Sequence, residues 1–183
     1  MWLLVLLGII VVVAIALIAL YNRLVRLRNA VDNAWAQVEV QLKRRWDLIP
    51  NLVETVKGYA AHERETFEAV TQARTRAQQA QTPAEAAQAE GILGAALGRL
   101  LAIAEAYPEL QADENFRQLQ TELAETENRV AVSRQVYNDV VLTYNNAIQT
   151  FPGLVFAGPF NFTAREFFEV EEEAQRGAPV VDF

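Results

Sequence analysis

The chain has 183 residues, 52% of them hydrophobic, with no cysteine, one histidine and a net charge of −7. That length allows one domain with an appendage, and the apolar content excludes a disordered or collagen-like chain. Absence of cysteine excludes disulfides, thiolate metal sites and a cysteine nucleophile, and a pI near 4.8 argues against nucleic-acid binding.

Residues 1–20 read MWLLVLLGIIVVVAIALIAL, and no charged side chain occurs before Arg23. As a helix at ~1.5 Å per residue this run reaches about 30 Å, the thickness of the hydrocarbon core of a bilayer. Trp2 and Tyr21 stand at its ends, where aromatic rings favour the membrane–water interface. A cleaved signal peptide would want a basic flank ahead of a shorter apolar run. Nothing basic precedes this one, and its Ala14-x-Ala16 lies inside it. A buried core helix would rarely avoid polar residues for so long. The expectation is an uncleaved transmembrane anchor over 1–22. Arg23, Arg26 and Arg28 follow it directly, which predicts an outside N-terminus, a cytoplasmic C-terminal side and possible contact with anionic headgroups.

Helical spacing governs residues 23–152. Leu24, Leu27, Val31, Ala34, Trp35, Val38 and Leu42 continue a first helix to about residue 46. Arg44 and Arg45 suit a helix C-terminus, Asp47 a new cap and Pro50 a first turn, so a second helix is expected over about 48–79. Against that break, the apolar phase Leu42, Trp46, Ile49, Val53 and Val56 passes straight through Pro50, so a kinked continuous helix is the alternative. Thr82-Pro83-Ala84-Glu85 reads as a cap, a first-position proline and a capping-box glutamate opening a third helix to about 106. The fourth, about 112–151, keeps its spacing from Phe116 through Leu123, Val130, Tyr137 and Tyr144 to Phe151. The expected fold class is all-α: the anchor runs into an elongated, coiled-coil-like antiparallel four-helix bundle. An irregular, Phe-rich and acidic tail over 153–183 completes it.

That tail, together with Phe151, holds seven of the nine phenylalanines. Wrapping of the bundle and filling of its core is one use for them. A docking edge for membrane or partner through Phe156, Phe160, Phe162, Phe167 and Phe168 is the other. A reversal near Asp47 would bring the tail beside the bilayer; a kink alone would leave it far away.

Catalytic chemistry has little material. Ser133 is the only serine and His62 the only histidine; they fall on different predicted helices, and Ser133 takes an apolar position. A single histidine cannot supply the two Glu-x-x-His units of a di-iron bundle, so no metal ligand is assigned. Gly91, Gly94 and Gly98 are not followed by the Lys-Ser/Thr of a phosphate loop. They fit close helix packing, or a flat face for self-association. Lys43-Arg44-Arg45 is too short for nucleic acid and reads as a helix end, with Glu171–Glu173 as one acidic partner. No catalytic residue and no cofactor is expected.

Tyr21-Asn22, Leu24-Val25 and Leu27-Arg28-Asn29, followed by NAWAQVEVQLKRRWDLIPNLVETVKGYAAHE from Asn33 to Glu63, resemble the bacterial LemA family. So do LLAIAEAYPELQADENFRQLQTELAETENRVAVSRQVYNDVVLTYN from Leu100 to Asn145, and the ending around Phe151-Pro152. The blocks DLIPNLVETVKGY and TEN-R-YND carry the specificity. Gly158-Pro159-Phe160-Asn161-Phe162 departs from the Phe-Gly-Phe usual there. The resemblance implies a transmembrane N-terminus, a cytoplasmic four-helix bundle and no established enzymatic activity. It also implies relatives associated with membrane remodelling, organelle biogenesis or neighbouring membrane proteases. The expected function is a non-enzymatic scaffold of the bacterial inner membrane, homo-oligomeric and partnered by the lipid bilayer. Its alternatives are an adaptor of another membrane protein, such as a protease, and an enzyme with an unrecognised site.

Overall fold

The computed structural model describes residues 1–169, and all its regular structure is helical. The helices are α1 (Trp2–Lys57), α2 (Arg64–Gln79), α3 (Pro83–Glu105), α4 (Pro108–Ala112), α5 (Glu114–Gln149) and α6 (Gly153–Ala157). The acidic run Glu171–Glu173, Asp182 and Phe183 lie outside the described residues.

Two compact units divide the chain. One comprises Met1–Gln37 with Gln135–Glu166; the other comprises Val38–Arg134 with, among the described residues, 167–169. Helices α1 and α5 each lend a segment to both.

The expected break near Asp47 does not occur. Helix α1 passes through Pro50 and ends at Lys57. A proline inside a helix removes one donor, here the N–H that would serve the carbonyl of Trp46. The missing bond is replaced from elsewhere, because Arg74 of α2 donates its Nε–H to that same carbonyl at 2.8 Å. Ile49, Leu52, Val53 and Val56 beyond the proline are buried, so the apolar phase carries the helix on. The chain turns only at 58–63, where the Tyr59 and Ala60 N–H groups both bond the Val56 carbonyl and tighten the last turn. Replacing Arg74 by Met, which keeps the stem and deletes the donor, should cost about 1–2 kcal/mol through the orphaned carbonyl. Urea unfolding would measure it; an unchanged midpoint would mean water serves that carbonyl equally well.

Residues Met1–Ala19 are exposed throughout. This segment of α1 is long and apolar enough to cross a membrane. Helix α3 also meets that description by length and composition. Its Leu93, Leu97, Leu100 and Ala104 face are buried, however, so a core accounts for its apolarity.

In the second unit one core joins Ile49, Leu52 and Val56 of α1, Phe67 and Val70 of α2, Leu93 and Leu100 of α3, Leu110 of α4, and Phe116 and Leu123 of α5. Local chemistry fixes the helix starts around it. Thr82 accepts from the Glu85 N–H at 3.2 Å, while the Glu85 carboxylate accepts from the N–H groups of Thr82 and Gln81. The Asp113 carboxylate accepts from the Phe116 N–H at 2.9 Å and from the Tyr59 hydroxyl at 3.1 Å. The Phe116 bond is the main reason its carboxyl is held below the ordinary range, and the Asp113 carboxylate in turn pushes the Tyr59 phenol up.

In the first unit, residues 163–166 have no regular structure and are held to α5 by side chains. Asn145 donates its Nδ2–H to the Arg165 carbonyl and accepts from the Arg165 N–H, both at 2.9 Å. Tyr144 and Tyr137 donate to the carbonyls of Thr163 and Glu166. The Tyr137 ring lies 5.2 Å from that of Trp35. Burial pushes the Tyr137 phenol up to about 12 and raises that of Tyr144.

Candidate functional site

Two places concentrate chemistry. The first is a buried polar cluster in the second unit. Arg45, expected at a helix end beside an acidic partner, lies mid-helix and buried. It donates to Glu90 Oε2 at 3.0 Å, and the Trp46 indole N–H donates to Glu90 Oε1 at 2.6 Å. Glu127 of α5 approaches Arg45 at 4.0 Å from a largely exposed position. Arg45 Nε and, one turn earlier, Gln41 Oε1 have no hydrogen-bond partner among the described residues. Burial raises the Glu90 carboxyl, and the bonds from Trp46 and Arg45 oppose that only in part. No nucleophile stands in this cluster; its residues join helices. Glu90 escaped sequence reasoning, although it interrupts an otherwise apolar series, Ala86, Glu90, Leu93 and Leu97, on α3.

The remaining sequence candidates for chemistry are dispersed. His62 occupies the turn after α1 rather than a helical face, and it is exposed. Ser133 lines an open groove of about 400 Å³ with Gln41, Glu125, Asn128, Arg129 and Val132. Among the described residues no three His, Asp or Glu side chains gather as a metal site would require.

The second place is the end of the first unit that bears the apolar run. The Tyr21 ring meets those of Phe160 and Phe162 edge-on, at 5.1 and 5.8 Å. The Arg28 guanidinium lies over the Phe162 ring at 5.3 Å, leaving Arg23 and Arg26 as the exposed members of that trio. Phe156 stacks on Phe160 at 6.2 Å. The five tail phenylalanines therefore differ in station: Phe162 and Phe168 are buried, Phe156 and Phe167 half-buried, and Phe160 exposed. A helix unbroken at Pro50 had implied a tail far from Tyr21. Instead Phe160 and Phe162 touch it, because the turn at 58–63 supplies the reversal that a break at Asp47 would have made.

The glycines split from their packing expectation. A Cβ at Gly94 or Gly98 would meet nothing within 4 Å, so neither is there for close helix packing inside the chain. Gly91 is half-buried on the same helix.

The family model for the LemA family matches residues 34–183. The chain belongs to the LemA family. A curated LemA-family relative, Protein LemA of Metamycoplasma hominis, is 28% identical over 135 residues, spanning 71% of this chain and 60% of its own. Magnetosome protein MamQ 2 of Paramagnetospirillum magneticum is 27% identical over 187 residues, covering 88% of this chain and 68% of its own. Magnetosome protein MamQ of Magnetospirillum gryphiswaldense matches with the same identity and coverage. LemA membership and the apolar start of α1 together mark a membrane-associated protein.

Proposed function

We propose that this LemA-family chain is a non-enzymatic, single-pass membrane scaffold that self-assembles and organises the bilayer or proteins within it. Its anchor is Trp2–Leu20, its N-terminus lies outside, and an antiparallel four-helix bundle stands in the cytoplasm of a bacterium, against the inner membrane. The observation that carries this reading is the continuity of α1. One helix supplies both the wholly exposed apolar run and, at Ile49–Val56, part of a folded core. Exposed Arg23 and Arg26 directly after the run support the orientation. The kinship with proteins named for the magnetosome agrees with a membrane-associated role.

Self-association is assigned to the α3 face that contains Gly91, Gly94 and Gly98. Confinement to a membrane raises the effective concentration of weak contacts, so a modest face suffices. Because a Cβ at Gly94 or Gly98 meets nothing within 4 Å, both positions can take a side chain. The full-length protein, purified alone in detergent, should run as a discrete homo-assembly by light scattering. The double variant Gly94→Leu/Gly98→Leu should run smaller with the same helical content. A wild-type monomer that co-purifies with another membrane protein would replace the scaffold by an adaptor. Protease added outside wall-stripped cells should spare the bundle; digestion would reverse the orientation.

A further inference from the structure

We infer that the exposed apolar edge formed by Phe151, Leu154, Val155 and Phe160 is a second membrane contact. It acts as a foot that enters the boundary between headgroups and acyl chains beside the span. The inference rests on the reading of Trp2–Leu20 as a transmembrane segment.

Four observations converge on it. Phe151 is 84% exposed, Leu154 61%, Val155 59% and Phe160 49%, all within ten residues. Single exposed apolar residues are ordinary, but a contiguous group of large ones marks a contact surface. The group is also placed. Phe160 lies against Tyr21, the first residue after the apolar run, so the edge stands at the depth where that run leaves the bilayer.

Charge agrees with position. Residues 140–164 contain no Asp, Glu, Lys or Arg, and none occurs in residues 1–22. The nearest charges on α1 are Arg23, Arg26 and Arg28, and its first acid is Asp32, which is bonded to Arg165. An edge without carboxylates, next to exposed Arg23 and Arg26, complements an anionic lipid surface. The charges of Glu166 and Glu169 come only after the chain has left that edge.

The edge is also built to hold its shape. Gly153 approaches the last turn of α5 so closely that a Cβ would stand 1.8 Å from the Ala147 carbonyl oxygen, which sets where Leu154 and Val155 begin. The turn after α6 closes through bonds from Phe160 N–H to the Phe156 carbonyl and Phe162 N–H to that of Ala157. Asn161 takes a positive φ of 55°, a conformation asparagine tolerates better than most residues. Phe162, buried under Arg28, pins the turn, and Phe160 is left outward. An ordered apolar edge pays little entropy to enter an interface.

The test uses the full-length chain, whose lack of cysteine allows single labels. An environment-sensitive fluorophore is attached to Val155→Cys, Val12→Cys or Val136→Cys, all exposed positions. The proteins are reconstituted in phosphatidylcholine vesicles containing phosphatidylglycerol, with and without nitroxide-bearing lipid. Val12→Cys reports the span, and Val136→Cys lies about 20 Å along α5 from its end at Gln149. Quenching at position 155 should reach about half that at position 12, with little at position 136. Adding Leu154→Glu and Phe160→Glu to the Val155→Cys chain should abolish it. Quenching at 12 but no more at 155 than at 136 would overturn the foot and leave the span intact. No quenching at 12 would overturn the span, and the foot with it.

Discussion

Replacing Glu90 by Ala should lower the stability of the protein by about 3 kcal/mol, because it strands a buried guanidinium. Among the described residues Arg45 would keep only Glu127, 4.0 Å away and largely exposed, and the Trp46 indole N–H would lose its acceptor. Glu90→Gln keeps an acceptor oxygen for one of the two donors while its amide NH2 meets the other, so it should cost less than Glu90→Ala. The sign of the pH dependence follows from the direction of the shift. Burial raises the Glu90 carboxyl, so ionising it is harder in the fold than in the unfolded chain. Its stabilising contribution is complete below the ordinary carboxylate range and declines as pH rises through the raised value. The wild-type protein should therefore lose ground to Glu90→Gln across that interval on the way to neutrality. Paired replacement by apolar residues, Arg45→Met with Glu90→Leu, should be neutral or stabilising, as expected where desolvation outweighs attraction. Chemical denaturation of the four proteins from pH 4 to 8 would check the set. A Glu90→Ala midpoint equal to wild type would show that the cluster holds nothing together.

Gly153→Ala is the other large effect. The added methyl would stand 1.8 Å from a backbone oxygen of α5, and neither party is a flexible side chain. Backbone must move, at an expected cost of about 3 kcal/mol or more in local order. Hydrogen exchange should register it as faster opening of residues 150–166, with protection of the core around Leu93 and Leu100 unchanged. Unaltered exchange at 150–166 would mean α6 can tilt away freely. Gly158→Ala, where a Cβ meets nothing, is the matched control.

Legibility in the sequence followed the range of the interactions. The start of α3 was readable because its capping box lies within four consecutive residues, and that box is formed. The long fourth pattern was readable because its apolar spacing persists across many turns, and it runs as α5 from a cap at Asp113, with the short α4 preceding it. The fate of Pro50 depended on a donor 24 positions onward in the chain, Arg74, which nothing in the local pattern announces. The uninterrupted apolar phase from Leu42 to Val56 was the better guide there than the capping residues. For the buried cluster the sequence held a signal of a different kind. Arg45 and Glu90 each sit in register with apolar neighbours, and two opposite charges so placed can satisfy one another only by meeting. At the tail, composition pointed to the phenylalanines without separating Phe162, which is buried, from Phe160, which faces out.

The clasp between Asn145 and residue 165 has a consequence of its own. Its amide gives and takes with the two backbone atoms of one amino acid, as the rim of a β-sheet does with an incoming strand. Such a grip is blind to the side chain it holds and demands only an N–H, so proline alone is barred at 165 by this bond. The guanidinium of Arg165 is thereby free for Asp32 of α1, which it reaches at 2.8 Å. One amino acid thus fastens two helices at once, its peptide bonded to α5 and its charge to α1.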